Sequence, residues 1–139
     1  MQPMPGREAQ RSMEEALADL ETARYLTVGR RFNTACFIAQ QGAEKAAKAF
    51  LYRQGVEDPW GHSVATLVED AVTFDASLTS LREAGPVLDK YYIPTRYPNG
   101  LPGGVPSKAY TADDARQAIQ AAEFVLREVG ERLRRADLT

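Results

Sequence analysis

The sequence predicts an all-α protein, an up-and-down bundle of four to five helices. Apolar residues recur every three or four positions over successive stretches of chain. No stretch of useful length alternates apolar and polar residues as a half-buried strand does. Capping and breaking residues sit at the edges of the periodic stretches. A length of 139 residues, 44% hydrophobic and 26% charged, is ordinary for one domain with one core. That domain is expected over residues 1–139, with 1–8 as a loose N-terminal extension and 134–139 as a frayed C-terminal end.

The first helix is expected from about Arg7 to Val28. Met13, Ala16, Leu17, Leu20 and Ala23 form its inward stripe, and Gly29 stops it. The second is expected from about Asn33 to Gln54, capped by Asn33 or Thr34 and ended by Gly55. Its small residues Ala39, Ala43, Ala46 and Ala47 allow a neighbour to approach closely, which makes it central. After the loop "GVEDPWGHS", Ser63 caps a third helix through Phe74, with Val64, Leu67, Val68 and Ala71 inward. A fourth segment spans about Thr79 to Tyr92, with Leu81, Leu88 and Tyr91 inward and a kink or break at Gly85-Pro86. Residues 93–110 lose the helical period; Pro94, Pro98, Pro102 and Pro106 recur there every fourth residue. The last helix opens with "TADD", a capping box from Thr111 and Asp114 with Asp in the usual Glu position. Its core stripe runs through Ala115, Ala118, Ile119, Ala122, Val125, Leu126, Val129 and Leu133.

Several function classes lose support at once. The net charge is −2, so bulk electrostatics do not advertise nucleic-acid binding. Residues 54–90 carry two Lys/Arg against seven Asp/Glu, an acidic middle that fits a solvated face. No apolar run reaches the roughly 18–20 residues of a membrane span, so no membrane role is expected. "MQPMPGREAQ" has no apolar h-region, and a lone Cys36 forms no internal disulfide, so a reduced, cytoplasmic setting is the expectation. One histidine and one cysteine do not make a metal site, and Cys36 falls among apolar residues as a core cysteine. No phosphate-binding glycine loop is present, so no cofactor is expected.

Three places could carry chemistry. Gln41, Glu44, Lys45 and Lys48 share one face of the second helix. Two ammonium groups a turn apart can hold a phosphate, while an amide and a carboxylate read a base or ribose edge. The same four residues also fit a solvated face with Glu44–Lys48 as an ordinary ion pair. His62, beside Trp60, is a cap or packing residue, or a proton donor or ligand contact facing the second helix. Arg96-Tyr97 leaves the fourth helix in "YYIPTRYPNG", held between Pro94 and Pro98. Arginine offers a planar fork for phosphate and tyrosine a face for a base. The alternative there is that Arg96 caps the carbonyls ending the fourth helix while the tyrosines pack.

The segments "FNTACFIAQQGAEKAAKAFLYRQG", "GHSVATLVEDA", "LDKYYIPTRYP" and "YTADDARQAIQAAEFVLREV" resemble successive parts of a HEPN domain, over residues 12 to 133. The Gln40, Gln41, Glu44, Lys45, Lys48 run and the "YYIPTRYP" run carry the resemblance together. It implies a HEPN-like bundle, usually dimeric, with small members paired to a separate minimal nucleotidyltransferase. Nucleotide binding is proposed for the group. Many members are metal-independent RNases, acting as toxins of toxin–antitoxin pairs, with an Arg followed after four to six residues by His. The arginine would stabilise phosphorane charge and the histidine would act as general acid or base. This chain departs from that motif: the nearest arginine upstream of His62 is Arg53, and no histidine follows Arg96.

The leading expectation is therefore a nonenzymatic homodimer. It binds a nucleotide or RNA-like ligand through Gln41, Glu44, Lys45, Lys48, His62, Arg96 and Tyr97, beside a minimal nucleotidyltransferase partner. The first alternative is an RNase of unusual geometry, with Arg96 and His62 paired in space. The second is a structural dimerisation module.

Overall fold

A computed structural model describes residues 5–138. Helix α1 spans Pro5–Val28, α2 Phe32–Arg53, α3 Val64–Phe74, α4 Ala84–Asp89, α5 Pro106–Ala109 and α6 Ala112–Leu138. Short 3₁₀ turns lie at Ala76–Leu81 and Pro98–Gly100. Among the described residues there is no strand, and no helix is long and apolar enough to cross a membrane.

Proline at the first helical position of α1 costs nothing, because that N–H has no intrahelical partner. Residues 5–8 are therefore helical and not a loose extension; residues 1–4 of that expectation lie outside the described residues. The expected frayed end is helical from 134 to 138, and Thr139 lies outside the described residues.

α1 ends in a two-bond motif. Arg31 N donates to Leu26 O at 2.9 Å and Arg30 N to Thr27 O at 3.1 Å. Gly29 is not the left-handed residue; Arg30 is, at φ 62°. α2 ends the same way, through Val56 N to Leu51 O and Gly55 N to Tyr52 O, with Gly55 at φ 96°. Its start differs from expectation. Neither Asn33 nor Thr34 caps it, because the helix already begins at Phe32.

α2 is the central element, packed against α1, α3, α4, α5 and α6. Ala35, Ala39, Ala43, Ala46 and Ala47 are buried along it. At Gly42 a Cβ would stand 3.2 Å from Ala16 O, so small residues set the α1–α2 approach. Cys36 is fully buried, and burial with Asp114 nearby pushes its thiol up to about 12.

Ser63 caps α3 as expected, accepting from Thr66 N at 3.1 Å. The break in the fourth segment falls at residues 82–83 and not at Gly85-Pro86. Both sit in the first turn of α4, where Pro86 removes an N–H that has no intrahelical partner. Gly85 serves packing instead: a Cβ there would lie 2.6 Å from Ala65 Cα. The α6 capping box is formed. Thr111 N donates to Asp114 Oδ2 at 2.9 Å, and Asp114 N donates to Thr111 Oγ1 at 3.2 Å.

Candidate functional site

The candidate residues converge where α2, the loop before α3 and the loop after α4 meet. The convergence starts from a buried amide. Gln40 is fully buried; its Nε2 donates to His62 O at 2.7 Å and stands 3.4 Å from Asp89 Oδ1. Its Oε1 accepts from Gln41 Nε2 at 2.7 Å, and the same Nε2 lies 3.3 Å from Glu44 Oε1. Glu44 is buried too, and three side chains meet it. Lys48 Nζ sits 3.1 Å from Oε2, while His62 Nδ1 and Gln41 Nε2 face Oε1. A buried carboxylate without such partners would cost several kcal/mol, on the order of 3–5.

Asp89 anchors the other end of this chain. It accepts from Val64 N at 2.7 Å, Ala65 N at 3.0 Å and Ser63 Oγ at 2.8 Å, so a carboxylate from α4 caps α3 beside Ser63. His62 is thereby held by its backbone through Gln40 and by its ring through Glu44.

The His62 ring stacks on Tyr92, with centroids 5.2 Å apart and planes 17° apart. The Arg96 guanidinium lies on the same tyrosine, 4.6 Å from its centroid, and also 4.3 Å from Phe37 and 5.1 Å from Tyr97. Arg96 Nε donates to Tyr92 O at 2.8 Å, so the carbonyl-capping reading is realised by one nitrogen. The terminal nitrogens of Arg96 make no ion pair among the described residues. Thr95 fixes the loop beneath. It is buried, its Oγ1 donates to Tyr91 O at 2.6 Å, and its carbonyl accepts from Asn33 Nδ2 at 3.0 Å.

The paired-ammonium arrangement expected for a phosphate is absent. Lys45 Nζ bonds Asp19 on α1 at 2.6 Å, and Lys48 Nζ is occupied by Glu44. A one-turn spacing puts both lysines on one helix face, where they line a cavity of about 580 Å³ with Glu44, but each ammonium is already held by a carboxylate. Lys48, Trp60 and His62 line a cavity of about 480 Å³, with Trp60 85% exposed.

The structure thus brings Gln41, Glu44, Lys48 and His62 into one network, sets Arg96 beside it through Tyr92, and places Tyr97 against Arg96. Lys45 makes no hydrogen bond to that network but lines a cavity with Glu44 and Lys48. Sequence reasoning missed Asp89, Tyr92 and Phe37 as parts of the site. Phe37 lies one turn before Gln41 on α2, a spacing that could have pointed to it; for Asp89 no local pattern marks a carboxylate that caps another helix.

A family model described as HEPN domain matches residues 9–133. No match is found among curated proteins. Among solved structures, the chain is similar to TT1696 from Thermus thermophilus, at 39% identity and TM-score 0.83, covering 88% of this chain and 96% of that one. It is similar to ST0689, an archaeal HEPN homologue, at 34% identity and TM-score 0.75, covering 90% and 97%. A HEPN domain protein of Thermotoga maritima, TM0613, matches at 31% identity and TM-score 0.72, covering 90% and 98%.

Proposed function

Because the chain belongs to the HEPN domain family, we propose that it is a nonenzymatic member that binds a nucleotide or RNA-like ligand. In this reading it forms a homodimer and acts with a minimal nucleotidyltransferase, in a pair of the toxin–antitoxin type. The observation that carries the ligand site is Arg96. Three aromatic rings orient its guanidinium, and its terminal nitrogens have no carboxylate among the described residues to satisfy them. A phosphate meets that fork, and a base stacks on Tyr97, which is 51% exposed. Gln41, Glu44 and Lys48 act by holding His62 in place.

Calorimetric titration with ATP, GTP and a short single-stranded RNA tests this reading. Binding is expected, with a loss of about tenfold or more in Arg96→Ala and little change in Lys45→Ala. No binding to the wild type, or equal binding to Arg96→Ala, overturns it.

One observation favours a second reading, a metal-independent RNase. His62 and Arg96 lie against the same Tyr92 ring, and Glu44 faces His62 Nδ1, as an orienting carboxylate would. Incubation with RNA in EDTA separates the two. Cleavage that disappears in both His62→Ala and Arg96→Ala supports the nuclease, and intact RNA removes it.

A further inference from the structure

A second region, independent of the ligand site, lies between the two longest helices. α1 and α6 both pack on α2, and where they diverge they leave a cleft of about 660 Å³. Its lining follows a helical period on both walls, from Gly6 to Arg24 on α1 and from Glu123 to Asp137 on α6. At 1.5 Å per residue these walls run about 27 and 21 Å, much longer than a compact small molecule needs. The floor is apolar, with Met13, Leu20 and Leu133, and it is opened by Gly130, whose missing Cβ would touch Met13 at 3.7 Å. Leu17 stands at a core-period position yet is 52% exposed on this cleft. A residue patterned for a core but uncovered in the single chain points to a further helix that covers it.

The rim charge says which kind of helix. Arg24 is spent on Glu123 at 2.8 Å and Arg53 on Asp137 at 3.6 Å. Arg134 makes no ion pair among the described residues, Arg127 only reaches Glu128 at 4.0 Å, and Glu14 on the α1 wall is also unpaired among them, which leaves two arginines against one glutamate on the rim. These two arginines are seven residues apart on α6, hence on one edge. We infer that the α1–α6 cleft is a docking groove for an acidic amphipathic helix of a partner protein. Leucine-type residues of that helix cover Leu17 and Met13, and its carboxylates meet Arg127 and Arg134.

The probe is a fluorescein-labelled amphipathic peptide of roughly 18 residues, with leucines at helical spacing and glutamates beside them. A second peptide carries lysines for the glutamates. Fluorescence anisotropy is expected to show binding of the acidic peptide, weakened by about tenfold in Leu17→Asp and in Arg134→Glu. Both residues are exposed, so the fold survives the changes. Arg96→Ala is expected to bind the peptide unchanged, which separates this groove from the ligand site. No binding of the acidic peptide, or equal binding of the lysine peptide, overturns the proposal. So does a dimer in gel filtration that Leu17→Asp converts to monomer, because a second copy would then be the occupant.

Discussion

Gln40 on α2 is fully buried, while Leu17 on α1 is 52% exposed. The two regions around them invert the usual partition of side chains in opposite directions. At the α2 network, amides and a carboxylate lie inside because each has a partner: Gln40 has His62 O and Gln41, and Glu44 has Lys48, His62 and Gln41. Burial there costs little as long as the network is complete, and much if one member leaves. At the α1–α6 cleft, Leu17 lies outside with nothing to satisfy. Exposure of an apolar side chain forgoes burial energy but strands no polar group. The polar region should therefore be intolerant of change, and the apolar one permissive.

The harshest break is Gly85→Ala. The added methyl would lie 2.6 Å from Ala65 Cα, a backbone atom that cannot rotate away. α4 must move off α3, and Asp89 then loses the N–H groups of Val64 and Ala65. A loss of about 3 kcal/mol is expected in urea unfolding.

Gln40→Leu comes next, at about 2 kcal/mol. The leucine fills similar space but leaves the His62 carbonyl without its partner and the Gln41 amide with Glu44 alone. Equal stability of Gln40→Leu and wild type would show that the network is decorative.

A smaller effect follows from pH. Burial pushes Cys36 from 9.0 and Tyr91 from 10.0 up to about 12, with the Asp114 charge adding in the same direction. Both groups keep their protons longer in the fold than in the unfolded chain. Their contribution is present in full below pH 9 and is lost as the pH rises toward 12. Between pH 8 and pH 10 unfolding should cost about 1 kcal/mol less, mostly through Cys36. Cys36→Ala should flatten that slope, and an unchanged slope would remove the assignment.

The smallest change is expected on the other side of the comparison. Leu17→Asp should alter stability by no more than about 0.5 kcal/mol, read as an unchanged urea midpoint. A large loss there would mean that Leu17 already has a core to fill, and the cleft would cease to be a free surface.

Much of the site was legible as residue types but not as geometry. The α2 spacing put Gln41, Glu44, Lys45 and Lys48 on one face, and "YYIPTRYPNG" marked Arg96 and Tyr97. That neither ammonium stays free could not be read, because Asp19, 26 residues before Lys45, takes one of them. Asp89 and Tyr92 were hidden for the same reason. One caps α3 from α4, and the other becomes a platform only when His62 and Arg96 reach it from different parts of the chain.

Local chemistry by itself determined α1, α2, α3 and α6, the Ser63 cap, the Thr111–Asp114 box and the Gly55 stop, while the short α4 and the α5 turn inside residues 93–110 were not read from it. It also determined that α2 is central, since a stripe of alanines allows the closest approach. Only the tertiary structure decided that Gly85 is a contact and not a kink, and that Leu17 faces a cleft. Each of those depends on where a second helix lies. Periodicity gives the direction of a side chain about its own axis, and the neighbour it meets is set by the packing of all the helices together.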